Sequence, residues 1–272
     1  MKPNRSKNIV LAQLAVDAAV AIATASGIRQ YEIALTLGSG WARAADLIGD
    51  TVAEIPADQV PGFSNSGIPG HTGTIRSIRL PNGKHALVLG ARTHFYEDKG
   101  IRAVVHGVRV AAACGTKVMV LTNGAGGIKD SWSPGTPVLI SDHINLTAAS
   151  PLEGATFIDL TDLYSSRLRE VARSIDPSLD EGVYVQFRGP HYETPAEVQM
   201  AKAMGGHIVG MSTALEAIAS REAGMEVLGL SLITNLAAGI SPHPLSHQEV
   251  VDAGREAEPV ISELLAKIVL AL

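Results

Sequence analysis

The chain has 272 residues, of which 46% are hydrophobic and 18% are charged, and its formal net charge at pH 7 is -5. This composition provides ample material for an apolar core and excludes an intrinsically disordered chain. No run of Lys and Arg interleaves with aromatic residues, so no nucleic-acid surface is expected. No segment has 18 uninterrupted apolar residues, and the N-terminus does not resemble a signal peptide. The single cysteine, Cys114, excludes an internal disulfide, so we expect a cytoplasmic protein that spans no membrane.

The first predicted element is a helix over residues 8–26, which Gly27 ends. Residues 33–37 form a short apolar run that predicts a strand, and the LGSGW segment (37–41) predicts a tight turn directly after it. Residues 57–73 contain Pro and Gly throughout and lack apolar periodicity. We therefore predict a mobile loop there that could act as a lid.

Further strands are predicted where short apolar runs end in polar residues or glycine, at residues 87–89, 118–121, 138–140, 183–187, 208–209 and 227–233. Apolar residues at helical spacing from Ile101 to Val108 predict a helix that Gly115 ends. Capping boxes predict three more helix starts, at TPAE (194–197), TALE (213–216) and SHQE (246–249). Strands that alternate with helices predict an α/β fold, a single domain over residues 1–272 with a central mixed, largely parallel β-sheet flanked by helices.

Polar side chains gather directly after these predicted strands. They are Ser39, Arg92, His94, Asn123, Ser212 and Asn235. In α/β folds, ligands bind beyond the carboxyl ends of the strands. The layout is therefore typical of an enzyme.

The glycine-rich turn at Gly38 is compatible with three kinds of site. A nucleophile elbow requires glycines where Leu37 and Trp41 stand, and a dinucleotide fingerprint requires a third glycine where Arg43 stands. A serine between glycines can still direct its hydroxyl and neighbouring amides at an oxyanion, although an ordinary turn explains the pattern equally well.

Two other groups of residues were considered as ligand sites. His243 and His247 have the i, i+4 spacing of metal ligands, but prolines on both sides of His243 keep it out of a helix, so no metal site is expected. Arg92 and His94 alternate along an extended segment and therefore point to one side, where the guanidinium fork would suit phosphate. Read singly, Glu193 and Ser212 are equally well explained as residues of helix starts.

Taken together, the segments resemble the trimeric, low-molecular-mass purine nucleoside phosphorylases from residue 37 to about residue 250. The matching segments are LGSGW (37–41), IPGHTG (68–73), ARTHFYE (91–97), TNGAGG (122–127), SDHINL (141–146), RGPHYETPAE (188–197), VGMSTALE (209–216), LITN (232–235) and SHQEV (246–250). The resemblance implies phosphorolysis of nucleosides such as inosine and guanosine. It also implies a homotrimer, and inorganic phosphate as a co-substrate without a further cofactor or metal.

The resemblance also implies roles for individual residues. Phosphate would be held by Ser39, Arg92, His94, Gly124 and Ser212. The ribose would be held by Tyr96, Met211 and His247, with Phe157 supplied by a neighbouring subunit. The purine would be surrounded by Tyr192, Glu193, Val209, Thr234 and Asn235. The expected catalytic residues are Asn235, Glu193 and His94, and His71 belongs to the predicted lid.

The chemistry of the residues expected around the purine favours 6-oxopurines. Glu193 can accept the N1–H that a 6-oxopurine presents, whereas adenine offers a lone pair there. Two facing acceptors leave a buried group unpaired, at a cost of about 1–3 kcal/mol. A methylthioadenosine phosphorylase, a non-catalytic nucleotide binder and a hydrolytic nucleosidase remain as alternatives.

Three positions depart from the family pattern. Gly124 stands where alanine is common, and Tyr192 stands where mammalian members have phenylalanine. The stretch after Asn235 differs in type from the corresponding stretch of the mammalian members. His247 is therefore placed by the Gln-Glu-Val that follows it, with His243 as the alternative for the 5′-hydroxyl.

Overall fold

The computed structural model describes residues 5–63 and 73–272. The strands are β1 (Ile33–Thr36), β2 (Asp50–Pro56), β3 (Thr74–Arg79), β4 (His85–Leu89), β5 (Val118–Gly127), β6 (Pro137–Asn145), β7 (Asp180–Gln186), β8 (Ile208–Gly210) and β9 (Glu226–Leu236). The helices are α1 (Arg5–Ser26), α2 (Ala44–Leu47), α3 (Ile101–Val104), α4 (His106–Ala113), α5 (Ser166–Ile175), α6 (Pro195–Ala203), α7 (Ala214–Glu222) and α8 (His247–Ala271).

These strands form one mixed sheet in the order β2-β3-β4-β1-β5-β8-β7-β6-β9. Because β9 also pairs with β5, the last five strands of this order close on themselves. Five of the nine pairings are parallel and four are antiparallel. The predicted α/β class with a mixed, largely parallel sheet is confirmed.

Helices cover both faces of the sheet. Side chains alternate between the faces along each strand. Met119 and Leu121 join the core shared with α1, α4 and α7, whereas Val120 joins the core shared with α2, α5 and α8. The continuous apolar runs of the sequence therefore mark strands that are buried on both sides.

Two strands extend further than the sequence predicts. The sequence predicts a strand over residues 118–121, but β5 continues to Gly127 because β9 pairs with it as far as Gly127 and Leu236. Asn235 likewise lies inside β9. Glycine allows β9 to approach closely here, since a Cβ at Gly127 would lie 3.0 Å from Ile233 Cγ2.

The hairpin of β2 and β3 has no counterpart among the predicted elements. Strand β2 lies at the edge of the sheet, and only one of its seven residues, Ile55, is buried. An edge strand that is mostly exposed needs no apolar run, so the sequence carries little signal for it.

The predicted loop at 57–73 is described only in part. Ala57–Gln59 form a single 3₁₀ turn, and Val60 is buried against the core. Residues 64–72, and with them His71, lie outside the described residues.

The predicted helix starts are largely confirmed. Thr194 and Glu197 form a reciprocal capping box with Pro195 in the first turn, and Thr213 and Glu216 form a second capping box. At the third start, the Ser246 hydroxyl accepts from the Glu249 amide at 3.2 Å.

Within the described ranges, no helix has the length and apolar character needed to cross a membrane.

Candidate active site

One cavity brings together most of the residues that the sequence singles out. It opens where β1, β4 and β8 end and along the last residues of β5 and β9. Twelve predicted site residues line it: Ser39, Arg92, His94, Tyr96, Gly124, Tyr192, Glu193, Val209, Met211, Ser212, Thr234 and Asn235. The walls are completed by residues to which no role was given, among them Asn123, Ala237 and Val250.

The serine turn at one end of the cavity is held against β5 by three features. The Gly38 amide donates to Thr122 Oγ1 at 2.9 Å, and the buried Trp41 indole donates to the Asn123 carbonyl at 3.0 Å. A Cβ at Gly38 would lie 2.7 Å from the Thr122 carbonyl oxygen, so only glycine fits. Ser39 is therefore brought close to Gly124, whose added Cβ would lie 3.7 Å from Ser39 Cβ.

Arg92 supplies a buried positive charge at this end. Its side chain is 2% exposed and pairs with the 4% exposed side chain of Glu216. Nε donates to Glu216 Oε1 at 3.2 Å, and one terminal nitrogen donates to the Thr122 carbonyl at 2.8 Å. The second terminal nitrogen is buried and has no hydrogen-bond partner among the described residues. A donor left in this way beside a cavity is suited to an anion.

His94 is oriented by its neighbours. Its backbone amide donates to Glu97 Oε1 at 2.7 Å, and its ring stacks on Tyr96 with centroids 4.9 Å apart. Burial alone would raise the pKa of Glu97, but the His94 amide and the Lys99 ammonium outweigh it and hold that pKa below its usual value. The carboxylate is therefore ionised and keeps the imidazole in place.

Ser212 enters the cavity from a strained backbone. Thr213 has φ 83° and ψ -53°, and the Ala214 amide donates to the Ser212 carbonyl at 3.1 Å. This is a γ-turn of the rare strained type, and a β-branched residue adopts such a conformation only where the surroundings enforce it. Strain of this kind concentrates at functional sites.

The other end of the cavity carries an acid and an amide. Glu193 is 7% exposed, and its Oε1 has no partner among the described residues. Burial raises the pKa of Glu193. The Thr234 hydroxyl donates to Asn235 Oδ1 at 2.9 Å, and Asn235 Nδ2 donates to the Leu236 carbonyl at 3.0 Å. These two hydrogen bonds fix the plane of the Asn235 side-chain amide.

Among the described residues, two predicted site residues do not line this cavity. His247 lies exposed in the first turn of α8, and the alternative His243 is exposed as well. Phe157 is 93% exposed. His71 falls outside the described residues, so the roles given to these residues stay predictions.

Two further expectations concern metal and cysteine chemistry. Within the part of the chain that the structure describes, no group of three or more His, Cys, Asp or Glu side chains could hold a metal ion. Cys114 is buried in the core, and burial raises the pKa of its thiol to about 12. A thiol held in this protonated state packs as a small apolar residue.

Comparison with known proteins places this cavity in a family. A model of the phosphorylase superfamily matches residues 32–270. A purine nucleoside phosphorylase from a Cellulomonas species is 62% identical over 251 residues, covering 91% of this chain and 89% of the relative.

Two crystal structures of the Schistosoma mansoni purine nucleoside phosphorylase are similar to the whole fold. The complex with inosine has a TM-score of 0.85 at 30% identity and covers 96% of both chains. The complex with adenosine has a TM-score of 0.83 at 30% identity and covers 93% of this chain and 94% of that one. The chain therefore belongs to the phosphorylase superfamily and, within it, to the purine nucleoside phosphorylases, which are glycosyltransferases.

Proposed function

We propose that this enzyme uses phosphate to cleave 6-oxopurine ribonucleosides and 2′-deoxyribonucleosides, such as inosine and guanosine, in purine salvage. The products are the free base and ribose or deoxyribose 1-phosphate. The observation that carries the proposal is the pair of unpartnered groups in one cavity. Arg92 has an unpaired buried donor suited to phosphate, and Glu193 has an unpaired buried acceptor suited to the base.

The reaction needs charge stabilisation at both ends. The bond between C1′ and the purine N9 breaks, its electron pair goes to the base, and a phosphate oxygen forms the new bond to C1′. Phosphate held by Ser39, Arg92 and Ser212 would be both the nucleophile and the counter-charge to the oxocarbenium-like ribose. The Asn235 amide would donate to N7 as negative charge builds up on the leaving purine. Solvent would supply the proton that the base takes up, and the attacking hydrogen phosphate would release one to solvent, so that no net proton is consumed.

Base selection depends on the Glu193 carboxyl. A 6-oxopurine has a hydrogen on N1 for this acceptor, whereas adenine places a lone pair against it. A site that reads such a hydrogen bond can reject the wrong analogue by roughly 10⁴-fold. The adenosine complex of the schistosome relative makes adenosine the substrate to test beside inosine.

The test measures free hypoxanthine and ribose 1-phosphate from inosine with and without inorganic phosphate. Turnover that requires phosphate and yields both products in equal amounts supports the proposal. Release of hypoxanthine without phosphate would instead identify a nucleosidase, and tight nucleotide binding without turnover would identify a binding protein.

A matched pair of serine variants tests whether phosphate binds at Ser39. Ser39→Ala removes a hydroxyl from the cavity, and we expect a higher KM for phosphate with little change in the KM for inosine. Ser174→Ala removes an exposed hydroxyl that donates to the Val171 carbonyl, and it serves as the control. Equal effects of the two variants would contradict a phosphate site at Ser39.

We further propose a cytoplasmic homotrimer that takes inorganic phosphate as co-substrate, needs no metal or other cofactor, and binds neither nucleic acid nor membrane. The exposed Phe157 ring supports a contact between subunits, because a large apolar side chain that is 93% exposed gains from a partner surface. Mass measurement by light scattering tests the trimer. Retention of full activity after dialysis against a chelator tests the independence from metal.

A further inference from the structure

Asn123 and Thr213 form a hydrogen-bond chain that leads to the Ser212 hydroxyl. Asn123 Nδ2 donates to Thr213 Oγ1 at 2.9 Å, and Thr213 Oγ1 lies 3.2 Å from Ser212 Oγ. Asn123 is 2% exposed and Thr213 is fully buried, whereas Ser212 lines the cavity. The chain therefore begins at Asn123, a buried side chain in the cavity wall, passes through the fully buried Thr213 and ends at the predicted phosphate subsite.

The surroundings of Thr213 Oγ1 set the direction of this chain. The oxygen accepts from Asn123 Nδ2, and the capping box of α7 directs the Glu216 backbone amide at the same oxygen. A hydroxyl has two acceptor positions and one donor. Because the Asn123 amide nitrogen can only donate, Thr213 Oγ1 accepts from it and has its own proton available for Ser212 Oγ.

The Ser212 side chain also hydrogen-bonds to the Tyr184 hydroxyl, and where the neutral phenol is the donor of that bond, Ser212 keeps its own proton for a ligand. The Ser212 backbone amide donates to the Tyr184 hydroxyl at 3.2 Å, which secures the residue. Burial raises the pKa of Tyr184 to about 12, so the phenol remains a neutral group. Because phosphate oxygens are predominantly acceptors, a serine hydroxyl that already accepts from Thr213 is oriented to donate to them.

We propose that Asn123 and Thr213 are positioning residues that orient the Ser212 hydroxyl to donate to phosphate, through the relay Asn123 Nδ2–H to Thr213 Oγ1–H to Ser212 Oγ–H. Each donated hydrogen bond polarises the next hydroxyl, so the last donor in the chain is stronger than an isolated serine. The strained γ-turn at Thr213 holds its hydroxyl between the other two groups. This inference rests on the proposed phosphate-dependent reaction.

The decisive comparison is Thr213→Val against Thr213→Ser. Valine keeps the branched shape but removes the hydroxyl, whereas serine keeps the hydroxyl. We expect Thr213→Val to raise the KM and the calorimetric Kd for inorganic phosphate roughly tenfold, as for a lost hydrogen bond to a charged group, with the KM for inosine changed much less. Thr213→Ser should restore most of the phosphate affinity. Thr116→Val, a buried threonine away from the cavity, is the control.

A second variant tests the direction of the relay. In Asn123→Asp the carboxylate can only accept, so Thr213 would donate to it and would then accept from Ser212. Ser212 would no longer have a proton for phosphate, and the added negative charge would act in the same sense. We expect a loss of phosphate affinity larger than that of Thr213→Val. This variant keeps the side-chain shape, so an unchanged phosphate affinity in it would contradict the relay even if Thr213→Val does not fold.

The outcomes separate the relay from the reaction itself. Wild-type enzyme that cleaves inosine without phosphate would overturn the proposed function. Phosphate-dependent wild type together with an unchanged phosphate Kd in folded Thr213→Val, or in Asn123→Asp, would overturn the relay alone. Equal losses in Thr213→Val and Thr213→Ser would also overturn it, because the hydroxyl would then be irrelevant.

Discussion

Arg92 and Glu216 form an almost fully buried ion pair, with Nε and Oε1 3.2 Å apart and neither side chain more than 4% exposed. The other carboxylate oxygen of Glu216 accepts from the Thr213 amide at 3.1 Å. One carboxylate therefore connects the cation of the cavity to the γ-turn that presents Ser212. It joins the two halves of the predicted phosphate subsite, Arg92 and Ser212, which are 120 residues apart in the chain.

Removing this carboxylate should destabilise the fold strongly. Glu216→Ala leaves the Arg92 guanidinium buried without its counter-charge, which costs about 3–5 kcal/mol in comparable cases. Asp252→Ala breaks an exposed contact with Arg255, in which the Asp252 side chain is 57% exposed and the Arg255 side chain is 75% exposed. It should lower the free energy of unfolding by less than about 1 kcal/mol. Urea unfolding measures both free energies. Equal losses in the free energy of unfolding would show that the buried ion pair contributes no more to stability than the exposed one.

Glu193→Gln should lower activity and raise stability at alkaline pH. Burial raises the pKa of Glu193, so the folded state favours the protonated acid and ionisation at higher pH costs stability. Glutamine does not ionise. The stability of the variant relative to wild type should therefore rise as the pH increases above about 4.5, the ordinary pKa of a glutamate.

The activity of the same variant should fall, because a neutral amide accepts from N1–H more weakly than a carboxylate. We expect kcat/KM for inosine to drop roughly tenfold or more. Glu256→Gln, on the exposed side of α8, is the control for both measurements. A relative stability that does not change with pH would contradict the burial argument.

Asn235→Asp should shift the base preference. The Thr234 hydroxyl can still donate to the new carboxylate, as it does to Oδ1 at 2.9 Å. The carboxylate can accept from the adenine amino group but cannot donate to a 6-oxopurine, so kcat/KM for adenosine should rise relative to inosine. Asn82→Asp is the control, since Asn82 only accepts from the Lys84 amide. An unchanged ratio would remove the basis for assigning specificity to residue 235.

Two glycines of the cavity should differ in their tolerance of alanine. A Cβ at Gly38 would lie 2.7 Å from the Thr122 carbonyl oxygen and 2.8 Å from Asn123 Cα, which are backbone atoms. At Gly124 the nearest atom is Thr234 Cγ2 at 3.0 Å, on a side chain. Overpacking costs ~1–3 kcal/mol of the free energy of unfolding. We expect Gly38→Ala to lose about 3 kcal/mol and Gly124→Ala to lose about 1 kcal/mol or less. Thermal unfolding with and without phosphate compares them.

Phe157→Ala should affect the nucleoside and leave the folding of the single chain largely unchanged. A side chain that is 93% exposed makes few contacts within its own chain, so truncation should cost no more than about 0.5 kcal/mol there. If Phe157 completes a neighbouring site, the KM for inosine should rise. Val260→Ala, which truncates a side chain that is 72% exposed, is the control. Equal KM values for both variants would count against a role for Phe157 between subunits.

The local sequence pattern predicted the structure correctly where a buried apolar run is followed directly by the polar residues at the end of its strand. Runs such as residues 87–89 are apolar because both faces of their strands are covered, and the polar residues that follow them, Arg92 and His94, line the cavity. The boundaries of β5 and β9 were not predictable in this way. A strand ends where its pairing ends, and the partner strand lies about a hundred residues away (Gly127 pairs with Leu236).

Hydrophobic periodicity and turn residues act over short distances, so the amino-acid sequence alone was enough to define the α/β class and the polar residues that follow the strands. The resemblance of its motifs to a known family implied most of the other residues that meet in one cavity. The tertiary structure alone revealed that Glu216 joins Arg92 to Thr213, that Thr213 adopts a strained conformation, and that Asn123 donates a hydrogen bond to Thr213. In sequence, Glu216 and Thr213 are only a capping box, and Asn123 is only a polar residue after an apolar run. Their connection depends on side chains from separate strands and helices meeting in a buried space, where an unpaired charge or polar group is costly.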